Sequence, residues 1–218
     1  MVFCFDNTDI DEVTADYNGV VSTGDILVLS PCVAGRVNLP DELKGTSDVL
    51  LRLARFSKHK QVIIVAGMTA ETANKKYESA VVIDRGKILG VSDCINPKDE
   101  GISSGSALRR YATSMGKLCV FAGGDIKYPE LWEFASTSRY VICLSGGKTD
   151  TEALVCARAF ALYAGKYVLA VFGESKVCIT PYGALESVKT GNMTAFYLPM
   201  SLATGRKLSK RVKYVEEE

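Results

Sequence analysis

The sequence predicts an α/β chain built as four layers, α-β-β-α, with two mixed sheets packed face to face. Three observations point there. The segments that read as strands, such as Ile26–Leu29, Gln61–Gly67, Leu118–Ala122 and Tyr140–Leu144, are continuous apolar runs rather than alternating ones, so both faces of each strand are covered. Helical patterns intervene between them, which gives the covering layers. At least two tight turns, Asp84-Arg85-Gly86 and Pro181-Tyr182-Gly183, join neighbouring strands as hairpins, so the sheets cannot be wholly parallel.

In chain order, Val2–Phe5 reads as a first strand, and a helix capped by Thr8 follows, ended by Gly19 and Gly24. Residues 25–30 form a buried strand closed by Pro31, and Cys32 to Pro40 reads as a loop. Residues 47–57 make an amphipathic helix, with Val49, Leu50, Leu53 and Phe56 on the buried stripe and Arg52 and Arg55 outside. The strand 61–67 runs into a polar connection, 68–76, and then the hairpin over 78–90. The polar stretch 96–106 is a loop, and 107–114 is read as a short helix.

The centre of the chain is Leu118–Leu131, LCVFAGGDIKYPEL: an apolar strand, a bend at Gly123-Gly124, and a helix opening at Pro129 that runs to about Ser136. Such elbows commonly hold a ligand or a nucleophile. Here the bend carries glycine, which has no side chain for acid, base or nucleophilic work. The strand 139–145 comes next. A long helix over 150–165 follows, capped by Thr149 or Asp150, stopped by Gly165, and facing inward with Leu154, Ala157, Ala161 and Leu162. Strands over 167–172, 176–180, 184–188 and 194–199 complete the pattern. No internal repeat or linker divides the chain, so residues 1–218 are expected to form one domain, with about 200–218 as a tail or an oligomer-contact extension.

Composition narrows the function. The 218 residues carry a net charge of +1, so no basic field calls for nucleic acid or an anionic membrane as partner. No apolar run approaches the ~20 residues of a membrane span, and Asp6 and Asn7 interrupt the N-terminal run as a secretory leader would not. The seven cysteines are odd in number and lack CxxC spacing, which suits reduced thiols in the cytoplasm. His59, the single histidine, sits among Ser57, Lys58 and Lys60 at a polar helix end, which argues against a Ser-His-Asp hydrolase or a histidine-rich metal site.

Three stretches together resemble the carbon–nitrogen hydrolases, the nitrilase superfamily. Lys76-Tyr-Glu-Ser-Ala-Val-Val-Ile-Asp-Arg-Gly-Lys-Ile-Leu-Gly is similar to that family's "YNSAxxIdpdGkixg" hairpin. Asp125-Ile-Lys-Tyr-Pro-Glu-Leu is similar to the segment "CYDxRFPEL" that begins at its nucleophile. Ala157-Arg-Ala, Tyr167-Val-Leu-Ala-Val and Gly173-Glu-Ser-Lys-Val-Cys-Ile-Thr-Pro-Tyr-Gly follow its "ARAxEN…yvvaaN…G.S.ivdP.G" stretch. The resemblance covers about 61–185 and implies the same four-layer sandwich, paired into homodimers or larger assemblies.

The family's chemistry, as the resemblance implies it, needs a glutamate as general base, a lysine for the oxyanion and a cysteine thiolate as nucleophile. Carried over position by position, these fall on Cys32, Cys94 and Gly123. All three reactive groups are absent. The resemblance therefore implies an amidase-type scaffold that has lost hydrolase activity and needs no cofactor or metal. Its pocket would be formed by Glu100, Gly124, Asp125, Lys127, Tyr128 and Lys148.

Other readings of the same residues stay open. Cys32 and Cys94 could bind a soft metal or form a redox pair, or simply fill the space of the missing Glu and Lys. Glu100 is a pocket acid or a solvated loop acid. Ser145-Gly-Gly-Lys-Thr-Asp has the strand-then-helix context of an anion site, but Ile142 stands where a Walker loop requires glycine. The pocket could serve a non-enzymatic binding or scaffold role, or an amide hydrolase with a rearranged site. An open polar cavity favours ligand binding; one plugged by Tyr128 or Trp132 favours a purely structural role.

Overall fold

The computed structural model describes residues 2–5, 10–11, 20–30, 34–146, 150–173, 175–186, 188–190 and 193–196. Its first sheet contains β1 (Val2–Phe5), β2 (Ile26–Leu29), β3 (Arg36–Asn38), β4 (Ile63–Glu71), β5 (Lys76–Asp84), β6 (Lys87–Asp93), β13 (Val188–Thr190) and β14 (Met193–Phe196). These are ordered β13-β14-β1-β2-β4-β5-β6, with β3 also paired to β4. The second sheet is ordered β12-β11-β10-β9-β8-β7, from β7 (Arg110–Thr113), β8 (Gly116–Ala122), β9 (Tyr140–Ser145), β10 (Val168–Phe172), β11 (Ser175–Ile179) and β12 (Leu185–Glu186). Both are mixed: β1-β2-β4 and β8-β9-β10 run parallel, while the hairpins β4-β5-β6, β7-β8 and β10-β11 are antiparallel.

The apolar runs explain the layering, because successive residues of one strand face different layers. Ile63 and Val65 of β4 join Val120, Ile142, Leu144 and Val171 between the sheets. Their neighbours Ile64 and Ala66 face the opposite way, onto Leu50, Leu53 and Phe56 of helix α2 (Val49–Lys60), which follows the short α1 (Leu39–Lys44). On the far side of the second sheet, Phe121, Cys143 and Ala170 pack against Ala153, Ala157, Phe160 and Ala161 of α4 (Thr151–Ala164). Trp132, which opens α3 (Trp132–Ser136), stacks edge-on against Phe160. The expected α-β-β-α sandwich is thus present. Each wholly buried Leu, Ile or Phe of these layers contributes roughly 1.5–3 kcal/mol.

Asp150 caps α4 by accepting from the Ala153 N–H, and Gly165 ends the helix in the left-handed region. The β5-β6 turn places Arg85 (φ 48°) and Gly86 (φ 88°) where the hairpin requires positive φ.

Four local expectations are corrected. Residues 107–114 do not form a helix: Arg110–Thr113 is a strand, held by pairing Arg110 to Cys119 and Thr113 to Gly116. The stretch 68–76 is not a connection, because β4 continues to Glu71 and β5 begins at Lys76. The loop expected over 32–40 contains β3, docked on β4 from Thr69 to Glu71, and the start of α1 capped by Asn38. Leu162 faces solvent at 53% exposure, and Phe160 takes the inward place. The Thr8 cap, most of its helix and the 200–218 tail lie outside the described residues.

Candidate functional site: a polar cavity at the end of strand β8

Strand β8 ends at Ala122, and the next residue, Gly123, has a φ of +58°, in the region that favours glycine. The chain then turns through a 3₁₀ turn at Asp125–Lys127 and a second at Pro129–Leu131 before α3. A Cβ at Gly123 would lie 2.6 Å from Cys94 Sγ, 2.7 Å from Glu78 Oε2 and 3.2 Å from Cys94 Cβ. Both neighbours come from the other sheet. Glu78 is in β5, and Cys94 follows β6 directly, its N–H donating to the Glu78 carbonyl at 2.8 Å. The two side chains occupy the volume that a residue with a side chain at position 123 would need.

Asp125 lies beneath this group and is 1% exposed. Its carboxylate accepts from the backbone N–H groups of Ile95 (2.8 Å) and Asn96 (3.0 Å), and the Cys94 thiol donates to it at 3.5 Å. It thereby fastens the loop after β6 to the elbow after β8. Burial raises the Asp125 carboxyl above its ordinary range, against the lowering effect of these hydrogen bonds. Burial, then the negative charges of Asp125 and Glu78, push the Cys94 thiol up to about 12.

Glu78 Oε1 accepts from the Gly146 N–H at 3.1 Å and from the Ser145 hydroxyl at 3.4 Å. Burial raises this carboxyl as well, with Asp125 and Asp99 adding in the same direction. Glu78 Oε2 has no hydrogen-bond partner among the described residues. The side chain lines a cavity of about 390 Å³ whose wall also includes Lys98, Asp99, Gly124, Ser145 and Asp150. Along that wall Asp150 pairs with Lys127 at 2.8 Å and with Lys98 at 3.7 Å. Burial works against the Lys127 charge, but the hydrogen bond and charge of Asp150 overcome it and raise its pKa; the same pairing lowers Asp150 despite its own desolvation.

The structure places the residues singled out in the sequence as follows. Cys94 and Gly123 are in contact range, Gly124 lines the cavity, Asp125 is its buried support, and Lys127 is turned to Asp150. Tyr128 is 38% exposed and Glu100 is exposed; neither is among the cavity-lining residues. Trp132 donates its indole N–H to the Ile126 carbonyl instead of filling the cavity. Cys32 and Lys148 lie outside the described residues. Among the described residues no cluster of three or more His, Cys, Asp or Glu side chains is arranged to hold a metal ion.

Sequence reasoning missed Glu78, Lys98, Asp99 and Asp150 as cavity residues. A signal existed for the first: Tyr77-Glu78-Ser79-Ala80 carries glutamate where the "YNSA" pattern has asparagine.

Comparison with solved structures gives the fold. The chain superposes on Nit3 of Saccharomyces cerevisiae, a member of branch 10 of the nitrilase superfamily, with a TM-score of 0.71 at 16% identity, covering 88% of this chain and 87% of that one. An amidase from Nesterenkonia sp. gives a TM-score of 0.71 at 15% identity, covering 94% and 92%. A carbon-nitrogen hydrolase from Helicobacter pylori G27 gives 0.66 at 17%, covering 89% and 87%. No protein-family model matches the sequence, and no curated protein matches it. The fold is that of the nitrilase superfamily, as the three motif stretches implied.

Proposed function

We propose that this chain is a nitrilase-fold protein that does not hydrolyse amides or nitriles and instead uses the retained cavity to bind a small polar molecule. The observation that carries this reading is the filled space at Gly123. The family reaction needs a thiolate at that position, and a structure of the Nesterenkonia amidase shows acrylamide added at its active-site cysteine. Here the position has no side chain, and Cys94 and Glu78 stand within 2.7 Å of where one would begin.

Cys94 is no substitute nucleophile. A thiol pushed up to about 12 is neutral at physiological pH, and the neutral thiol is a poor nucleophile. An open, polar cavity with no aromatic side chain among its described lining residues supports binding over a purely structural role.

The same reading has the protein working as a cytoplasmic homodimer. The free thiols of Cys94, Cys119, Cys143, Cys156 and Cys178 suit a reducing compartment. The apolar side chains of α4 turned to solvent, Val155, Leu162 and Tyr163, suit a covered face.

The test is ammonia release from a panel of aliphatic amides, nitriles and N-carbamoyl amines, run beside iodoacetamide labelling with peptide mapping. No release above background, and no adduct on Cys94 in the folded protein at pH 8, is the expected result. Release abolished by Glu78→Gln would instead establish a hydrolase with a rearranged site.

A further inference from the structure

Among the described residues the charges of the cavity wall do not balance. Asp150 is neutralised by Lys127 at 2.8 Å, and Lys98 stands 3.7 Å from the same oxygen. Glu152 also lies within 3.5 Å of Lys127. These groups offset one another along one side. On the other side Glu78 and Asp99 line the cavity with no cationic partner among the described residues, and the buried Asp125 carboxylate is near enough to Glu78 to act on its charge. Glu78 Oε1 is occupied by Gly146 and Ser145, while Oε2 is left without a donor.

A carboxylate held in a partly desolvated wall gains most from a charged donor, because the attraction is little screened there and the lone pairs are otherwise unmet. Resting on the binding role above, we propose that the cavity takes a small organic cation, whose primary ammonium group sits against Glu78 Oε2 and faces Asp99. A volume of about 390 Å³ accommodates a compact metabolite rather than a polymer. Glu78 stands where the hairpin pattern it resembles has a neutral asparagine.

The groups facing Glu78 set the expected pH behaviour. Burial, then the negative charges of Asp125 from the turn after β8 and Asp99 from the loop after β6, favour the protonated carboxyl. The two hydrogen bonds from β9 and the residue after it oppose them. Cation affinity therefore falls on acidification at a higher pH than for a solvent-exposed glutamate, although an alkylammonium stays charged throughout.

Butylammonium is the probe, with butanol and butyrate as neutral and anionic isosteres, in ligand-observed NMR titrations of the full chain at pH 8 and pH 5. Butylammonium is expected to bind at least tenfold more tightly than either isostere at pH 8, and more weakly at pH 5. Glu78→Gln and Asp99→Asn are each expected to weaken it threefold or more. Asp99 is exposed, so its variant tests the idea even where the Glu78 change disturbs folding. Equal binding of the three probes, or an affinity unchanged in Asp99→Asn and between the two pH values, overturns the proposal. Ammonia release from amides sinks the loss of hydrolysis and leaves cation preference standing; silence in both assays sinks only the cation site.

Discussion

Placing a side chain at Gly123 is expected to destabilise the protein without creating activity. Gly123→Ala adds one Cβ at a φ of +58°, which costs a non-glycine residue about 1–2 kcal/mol. The new carbon lies 2.6 Å from Cys94 Sγ and 2.7 Å from Glu78 Oε2, closer than any stable contact. Cys94 cannot retreat easily, because its backbone is tied to the Glu78 carbonyl at 2.8 Å and its thiol lies on Asp125. Overpacking of this kind costs a further ~1–3 kcal/mol. The sum, about 2–5 kcal/mol, corresponds to a fall in Tm of roughly 4–20 °C for a chain of this size.

Thermal unfolding followed by circular dichroism reads this directly. Gly123→Cys should fall at least as far and stay inactive, since its sulfur enters the same space. The triple change Gly123→Cys, Glu78→Asn and Cys94→Ala should recover part of the loss, because it empties the contested volume and the sites are coupled. A Gly123→Ala protein as stable as the parent would refute the packing argument. A Gly123→Cys protein that hydrolyses amides would refute the wider claim that the site is obstructed as well as incomplete.

Two other outcomes follow from the cavity wall. Asp150→Ala removes the α4 cap and the Lys127 partner together; about 1–2 kcal/mol is expected from the cap alone, read by urea unfolding, and Asp150→Asn should keep much of it. Glu78 has its carboxyl raised in the folded state, so its contribution to stability is fully present below the ordinary 4.5 and is lost as pH rises through the raised value. Glu78→Gln should therefore lose less Tm than the parent between pH 4.5 and pH 7; parallel pH profiles would contradict the burial assigned to this group.

The layering was legible because it rests on composition over whole segments. Residues 62–67 and 118–122 are apolar on both faces, and only a covered sheet satisfies that. The elbow was legible from Gly123-Gly124 and Pro129, and the α4 boundaries from Asp150 and Gly165. Residues 107–114 misled because Ala107 and Leu108 favour a helix, whereas pairing along β8 from Gly116 to Cys119 decides the matter. Leu162 misled because its spacing suits either flank of the stripe, and Phe160 fills the inward space against Phe121 and Trp132.

The cavity wall was the least legible part. Glu78, Cys94 and Gly123 are distant in sequence, and only the antiparallel register of β5 with β6 and the packing of the two sheets bring them together. The substitution of glutamate for asparagine was visible in the hairpin pattern, but its neighbours were not.

The anchoring of Asp125 to Ile95 and Asn96 carries one more consequence. Because that carboxylate stitches the ends of two separate sheets together, this edge of the recess is shaped during folding. A guest of the proposed kind would find this edge already in position, so little of its binding energy would be spent on rearranging it.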